Sequence, residues 1–154
     1  MIIEELIIII AIGCDHGGYN LKEALIEHFK KDGIAYKDFG TYSTNSVNFP
    51  EYALNVANSV VSNECESGVL CCGTGIGMSM MANKVKGIRA AVLENVFSAR
   101  YTKMHNNTNI ICMGERVIGK GLAIMLFDEW YNAKFEGGKH KLRIDMIKEY
   151  EENN

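Results

Sequence analysis

At 154 residues, 47% of them hydrophobic and 23% charged, the chain has the size and balance of one ordinary domain that buries a core without disulfide or metal staples. A net charge of -3 excludes a general electrostatic grip on nucleic acid, while leaving room for a local basic site that holds one phosphate. The five cysteines are odd in number, no CxxC pair occurs and the four histidines lack zinc-site spacing, so the composition reads as a reduced, cytoplasmic protein with free thiols and no structural metal.

The opening "MIIEELIIIIAIG" is apolar but carries Glu4 and Glu5 and no basic leader, so it does not read as a secretory signal. Its unbroken apolar run is too short to span a bilayer. "LIIIIAIG" predicts a buried strand ending near Gly13, with "MIIEEL" extending it at the front. Leu21, Leu25 and Phe29 then recur at intervals of four, the face of an amphipathic helix that Gly33 ends. "IAYKDFG" predicts a second strand. "TYSTNSVNFP" is polar, holds the only proline, Pro50, and reads as a loop. A helix over about 51–62 carries Ala53, Val56, Ala57 and Val60 on one face, and "SGVLCC" predicts the third strand. A helix to about Lys84 opens on a glycine loop. "GIRAAVL" is the fourth strand, Asn95 caps the helix "NVFSARYTKMH", and "NIICMG" is the fifth strand. Helices over about 119–132 and 138–151 close the chain, with "EYEENN" expected to fray.

Strand and helix alternate five times, without internal repeat, linker or composition break. The prediction is therefore a single domain over 1–154: a three-layer α/β/α sandwich around a five-stranded parallel sheet, Rossmann/flavodoxin-like. Such sheets bind ligands outside the carboxyl ends of their strands. The residues that follow each strand are Cys14-Asp15-His16-Gly17-Gly18, Gly40-Thr41, Cys72 with its glycine loop, Glu94-Asn95, and Gly114-Glu115-Arg116. Asp15 and His16 also fit an ordinary turn and helix cap.

The loop Gly73-Thr74-Gly75-Ile76-Gly77 is where a ligand is best accommodated, because glycines let backbone N–H groups turn inward on a phosphate or developing oxyanion. It is not a P-loop, which needs GxxxxGK[ST]. It is one residue short of a dinucleotide fingerprint, since Met78 stands where the third glycine belongs. Glu94 does lie about twenty residues on, as a ribose-binding acid would. Cys72 precedes the loop, and N–H groups around its sulfur would favour the thiolate, making it a candidate base or nucleophile, with the Thr74 hydroxyl close by. Cys71 alternates to the other face and reads as a small buried hydrophobe, as do Cys65 and Cys112. His28 reads as surface.

Four separated motifs, "GCDHGGYNLK", "CGTGIGMSMMANKVKGIRAA", "HNNTNIICMGERVIG" and "FEGGKHKLRIDMI", together resemble the type B ribose-5-phosphate isomerases, whose relatives include the galactose-6-phosphate isomerase subunits. The resemblance runs from about Ile8 to Glu149. It implies interconversion of ribose 5-phosphate and ribulose 5-phosphate, a reaction of the pentose phosphate pathway, without cofactor or metal. By resemblance Cys72 is the base that moves a proton between C2 and C1 through an enediolate, and His105 of the "HNN" motif opens the sugar ring. Asn106 contacts the sugar, and the loop Gly73, Thr74, Gly75, Ile76 and Gly77 holds the enediolate oxygen. Asp15 and His16 bind substrate, and Arg116, Lys139 and Arg143 are the basic substrate- and phosphate-binding side chains.

His105 lies between the fourth helix and the fifth strand, at the amino end of that strand and opposite Cys72. The reading is that His105 and Asn106 serve a neighbouring subunit, in an obligate two-fold dimer with shared sites; the resemblance implies the same and leaves open whether dimers pair into tetramers. The galactose-6-phosphate relatives divide the catalytic residues between two subunit types, whereas this chain carries both the CGTG cysteine and the HNN histidine, which implies a homo-oligomer. Departures from the family pattern are Asn48-Phe49-Pro50 in place of Asp-Tyr-Pro, and Lys139 in place of an arginine. They bear on substrate preference, so allose 6-phosphate and galactose 6-phosphate stand beside ribose 5-phosphate. A nicotinamide-dependent oxidoreductase and a non-catalytic phosphosugar-binding module are the readings from other classes.

Overall fold

A computed structural model describes residues 6–154. The elements in order are β1 (Ile10–Cys14), α1 (Tyr19–Asp32), β2 (Tyr36–Asp38), α2 (Phe49–Val61), β3 (Ser67–Cys72), α3 (Ile76–Ala82), β4 (Ala90–Val92), α4 (Val96–Asn106), β5 (Ile110–Gly114), α5 (Lys120–Asn132) and α6 (Lys139–Asn153). All strand pairs are parallel, and the sheet order is β2-β1-β3-β5-β4. The chain thus goes from β3 out to the edge strand β4 and returns to place β5 between them.

Side-chain alternation sorts the strands onto two cores. Ile10, Ile12, Val69, Cys71, Ile111 and Met113 face Leu21, Leu25 and Phe29 of α1 together with Leu126, Phe127 and Trp130 of α5. Ala11, Leu70, Cys72, Ile110 and Cys112 face Val56, Ala57 and Val60 of α2 and Met78 and Ala82 of α3. Each large side chain fully buried in this way contributes about 1.5–3 kcal/mol. Gly33 closes α1 at φ 69°, and its N–H caps Lys30 and Phe29 carbonyls. Asn95 accepts from Ser98 N–H at the start of α4, and Pro50 sits in the first turn of α2.

Three expectations change. The first strand starts only at Ile10, and Leu6 and Ile7 are exposed, because Ile10 is the first residue with partners on either side, Tyr36 and Ser67. The rest of "MIIEEL" lies outside the described residues. The tail expected to fray is helical in this structure: α6 runs to Asn153, and Glu151 accepts the Gly87 N–H at 2.8 Å. His28 is not a free surface residue, since its Nε2 lies 2.7 Å from Asp128 and its ring packs against Phe127, joining α1 to α5.

α6 differs from the other helices in burying no residue within the chain. Leu142, Met146 and Tyr150, four apart on one face, are each about two-thirds exposed (68%, 65% and 69%).

Candidate active site

The carboxyl ends of β1, β3 and β5 meet at the middle of the sheet, with Cys14 paired to Cys71 and Cys72 to Gly114. The helix that follows β3 packs on the face opposite to those that follow β1 and β5, which opens a crevice on both sides of β3. Backbone hydrogen bonds sew the three loops together: Asp15 N–H to Cys71 O at 3.2 Å, Glu115 N–H to Cys72 O at 2.9 Å and Arg116 N–H to Gly73 O at 3.1 Å. Two glycines make this approach possible. A Cβ on Gly18 would lie 2.3 Å from the Cys71 carbonyl carbon, and one on Gly114 would lie 2.6 Å from Thr74 backbone. No other residue fits either position without backbone movement.

Cys72 is 6% exposed at the floor of the crevice. The Gly75 N–H donates to its sulfur at 3.0 Å, and Gly75 can aim its N–H there because it sits at φ 80°. From sequence, the Thr74 hydroxyl is expected close to the same sulfur. Instead it accepts from Ile76 N–H at 3.2 Å and shapes the loop. Among the other thiols, burial pushes Cys14 up to about 12 and also raises Cys65, Cys71 and Cys112, so these four stay protonated and inert.

Asp15 is buried and caps the turn at 16–18, accepting from Gly17 N–H at 2.8 Å. His16 Nδ1 accepts from Val47 N–H at 3.1 Å, which ties the 39–48 loop to the crevice and leaves Nε2 as the ring nitrogen available to a ligand. The Arg116 guanidinium lies over Gly73, with Nη1 3.2 Å from where a Cβ would stand, and the Phe49 ring lies over Gly77 at 3.0 Å by the same measure. Asp15, His16, Cys72, Gly73, Thr74, Gly75, Ile76, Gly77 and Arg116 therefore gather at one edge.

His105 and Asn106, Lys139 and Arg143 do not join them. Residues 107–109 lie beside the amino ends of the strands, where Asn109 N–H bonds Arg89 O and Gly68 N–H bonds Asn109 O. A five-residue strand separates the two edges, about 15 Å at the rise of parallel β structure. His105 instead stacks on His140 of α6, ring centroids 4.1 Å apart and planes 8° from parallel. Lys139 and Arg143 are close enough to this pair to bear on the charge of His140.

Comparison with known proteins bears on this arrangement. Residues 10–147 match the model of the Ribose/Galactose Isomerase family. The chain belongs to that family. It is 44% identical over 138 residues to ribose-5-phosphate isomerase B of Escherichia coli, covering 90% of this chain and 93% of that one. Among solved structures it is similar to the Clostridium thermocellum ribose-5-phosphate isomerase B, at TM-score 0.93 and 48% identity, covering 95% of this chain and 99% of the other. It is likewise similar to the Mycoplasma genitalium ribose-5-phosphate isomerase B with bound ribulose 5-phosphate, at TM-score 0.92 and 36% identity, covering 97% and 100%.

The dinucleotide alternative fails on topology. A ribose-binding acid stands at the end of the strand next to the glycine-loop strand. Glu94 follows β4, and β5 lies between β4 and β3. Among the described residues, two side-chain sets bring imidazole and carboxylate atoms within 4.8 Å of one another, His28 with Asp32 and Asp128, and His105 with Glu136 and His140. The first is a helix-to-helix hydrogen bond. In the second the rings stack flat, so their lone pairs run parallel rather than toward one point.

Several site-building residues carried no local signal. Glu115 accepts from Leu21 N–H at 2.7 Å and thereby caps α1 from 94 residues away. Lys22, fully buried, reaches both Asp38 oxygens at 2.8 Å, and Asp38 also takes the Gly40 N–H at 2.8 Å. This set fixes the start of the loop whose far end His16 holds.

Proposed function

We propose that the chain is an aldose–ketose isomerase that interconverts ribose 5-phosphate and ribulose 5-phosphate, a reaction of the pentose phosphate pathway, by proton transfer at Cys72. The observation that carries this reading is the buried Cys72 sulfur with the Gly75 N–H aimed at it from 3.0 Å. A C–H next to a carbonyl is weakly acidic, and removing its proton takes a base within reach and donors that hold the resulting oxyanion. The Cys72 thiolate takes the proton from C2, backbone N–H groups of the 73–77 loop other than those of Gly75 and Ile76, which already bond the Cys72 sulfur and the Thr74 hydroxyl, hold the enediolate oxygen, and the same sulfur returns the proton at C1. Asp15 and His16 orient the sugar hydroxyls, and Arg116 supplies positive charge above the loop.

The ring-opening half comes from a second copy of the chain. His105, Asn106, Lys139 and Arg143 stand about 15 Å from their own Cys72 by strand geometry, so a two-fold dimer that presents each amino edge to the other copy's crevice completes two sites at once. The apolar face of α6, with Ile76, Met80 and Phe97 also exposed, supports such a pairing. Lys139 and Arg143 then anchor the phosphate. The five free, buried thiols fit a reducing, cytoplasmic setting.

The test is ketose formation and C2 deuterium exchange followed by NMR in deuterated water. Wild type turns over ribose 5-phosphate, and Cys72→Ala loses roughly a thousandfold or more of both signals, the range of a missing general base. Surviving exchange in the variant removes Cys72 from the proton transfer. Faster turnover of allose 6-phosphate or galactose 6-phosphate by the wild type reassigns the substrate and keeps the chemistry.

A further inference from the structure

The cluster around His105 holds two titratable groups that the reading above leaves without a role. One is His140, stacked face to face on His105. The other is Glu136, in the loop between α5 and α6, whose backbone N–H donates to Met104 O at 3.0 Å and fixes the segment beside the end of α4. Its carboxylate spans the stacked pair: Oε1 is 3.8 Å from His105 Nε2 and Oε2 is 3.4 Å from His140 Nε2. On its other side His105 meets the Tyr101 ring, 4.9 Å between centroids. Lys139 and Arg143 of α6 are the remaining charges that face His140.

Two imidazoles in face contact repel when both are charged, and one carboxylate between them compensates one charge. The two rings are not equivalent. Desolvation pulls the His140 imidazole down, and His105, Lys139 and Arg143 pull it further, against which Glu136 acts only in part. His140 is also the more buried ring, its side chain 12% exposed against 38% for His105, so of the two it is the one less suited to carry a charge.

We propose that Glu136 is a positioning residue that keeps a single proton on the His105–His140 pair and keeps it on His105, so that ring opening starts from an imidazolium. This rests on the reading of His105 as the ring-opening group. The step balances on one imidazole. The imidazolium gives its proton to the ring oxygen as the bond from C1 to that oxygen breaks. The neutral ring then takes the C1 hydroxyl proton as the carbonyl forms, which restores the imidazolium. His140 acts as a flat, neutral wall that fixes the plane of His105.

Glu136→Gln keeps the shape and removes the charge. Titration of the His105 ring by NMR is expected to show its midpoint falling by roughly 0.5–1 pH unit in Glu136→Gln, the effect of losing a partly exposed carboxylate. Glu136→Asp restores it toward wild type, and His140→Asn, which removes the competing ring, moves it upward. Near neutral pH, Glu136→Gln loses about tenfold more turnover on ribose 5-phosphate than on a four-carbon aldose 4-phosphate, which cannot close a ring because its O4 is esterified. An unmoved His105 midpoint overturns the proposal. Equal losses on the two substrates also overturn it, since that is what a merely structural role for Glu136 produces. His105→Asn tests the underlying reading separately: full turnover of ribose 5-phosphate by that variant removes His105 from ring opening, whatever Glu136 does to its titration.

Discussion

The two edges of the sheet are built in opposite ways. At the carboxyl edge the segments after β1, β3 and β5 are fastened together by backbone hydrogen bonds, and the glycines at 18 and 114 leave no space between them. The Cys72 sulfur has its donor in place before any ligand arrives. At the amino edge His105 is 38% exposed at its side chain, and the helix that carries Lys139 and Arg143 buries nothing within the chain. A preorganised half and an open half fit the proposed site shared between two copies: donors aligned for an oxyanion on one edge, and the other half presented outward.

The sharpest way to break this comparison is to disable the two edges in different chains. Cys72→Ala and His105→Ala proteins are each expected to fall by roughly a thousandfold. After subunit exchange, random mixing makes half of the dimers mixed, each with one intact site of two, so activity returns to about a quarter of the wild-type level. No recovery, with exchange verified, means that each chain uses its own His105 and that the open edge has another purpose.

Much of this division was legible in the sequence, and the rest was hidden for identifiable reasons. Side-chain periodicity is local, so the five alternations, the Asn95 cap and the Gly33 stop could be read directly. The order of the strands could not, because nothing near residues 110–114 records that this strand enters between two others. Placing His105 opposite Cys72 needed only the rule that helix and strand run antiparallel in a crossover. The stacking of His105 on His140, 35 positions on, depends on where α6 lands. Lys22 is the plainest miss. A lysine next to Leu21 on an amphipathic helix reads as solvated, and the close pair with the distant Asp38, with Glu23 further off at 3.6 Å, makes its burial tolerable.

That ion pair tests the rigidity of the carboxyl edge. Asp38→Asn removes the close counter-charge of a buried ammonium and leaves it only Glu23 at 3.6 Å, at an expected cost of about 3 kcal/mol and a fall in Tm of about 10 °C. Burial alone pulls the Lys22 ammonium down, but the hydrogen bond to Asp38, helped by the charges of Cys14, Asp38 and Glu23, more than offsets this and holds it above its ordinary range. The pair's contribution is therefore fully present below the unfolded lysine value, near 10.4, and is lost as pH rises through the folded one. Denaturant melts of the two proteins should differ most at neutral pH and converge above about pH 10.4. A constant difference across that range would mean that the loop, not the charge pair, sets the cost.

Lys139 tests the open edge, and there the expected effect on stability is smallest. The side chain is exposed and, among the described residues, belongs to no ion pair within 4 Å. Lys139→Ala should leave unfolding within about 0.5 kcal/mol of wild type, as for other surface sites. If the ammonium binds the phosphate of a substrate held in the other copy's crevice, KM nonetheless rises about tenfold with kcat little changed, the pattern of a contact made equally in ground and transition states. Lys139→Arg should lower KM below wild type, because the guanidinium fork meets two phosphate oxygens where the ammonium meets one. Steady-state kinetics and melts on the same preparations separate the alternatives. A KM unchanged in both variants places the phosphate elsewhere. A Tm that falls with the alanine change shows that the amino edge, too, is fastened before the substrate arrives.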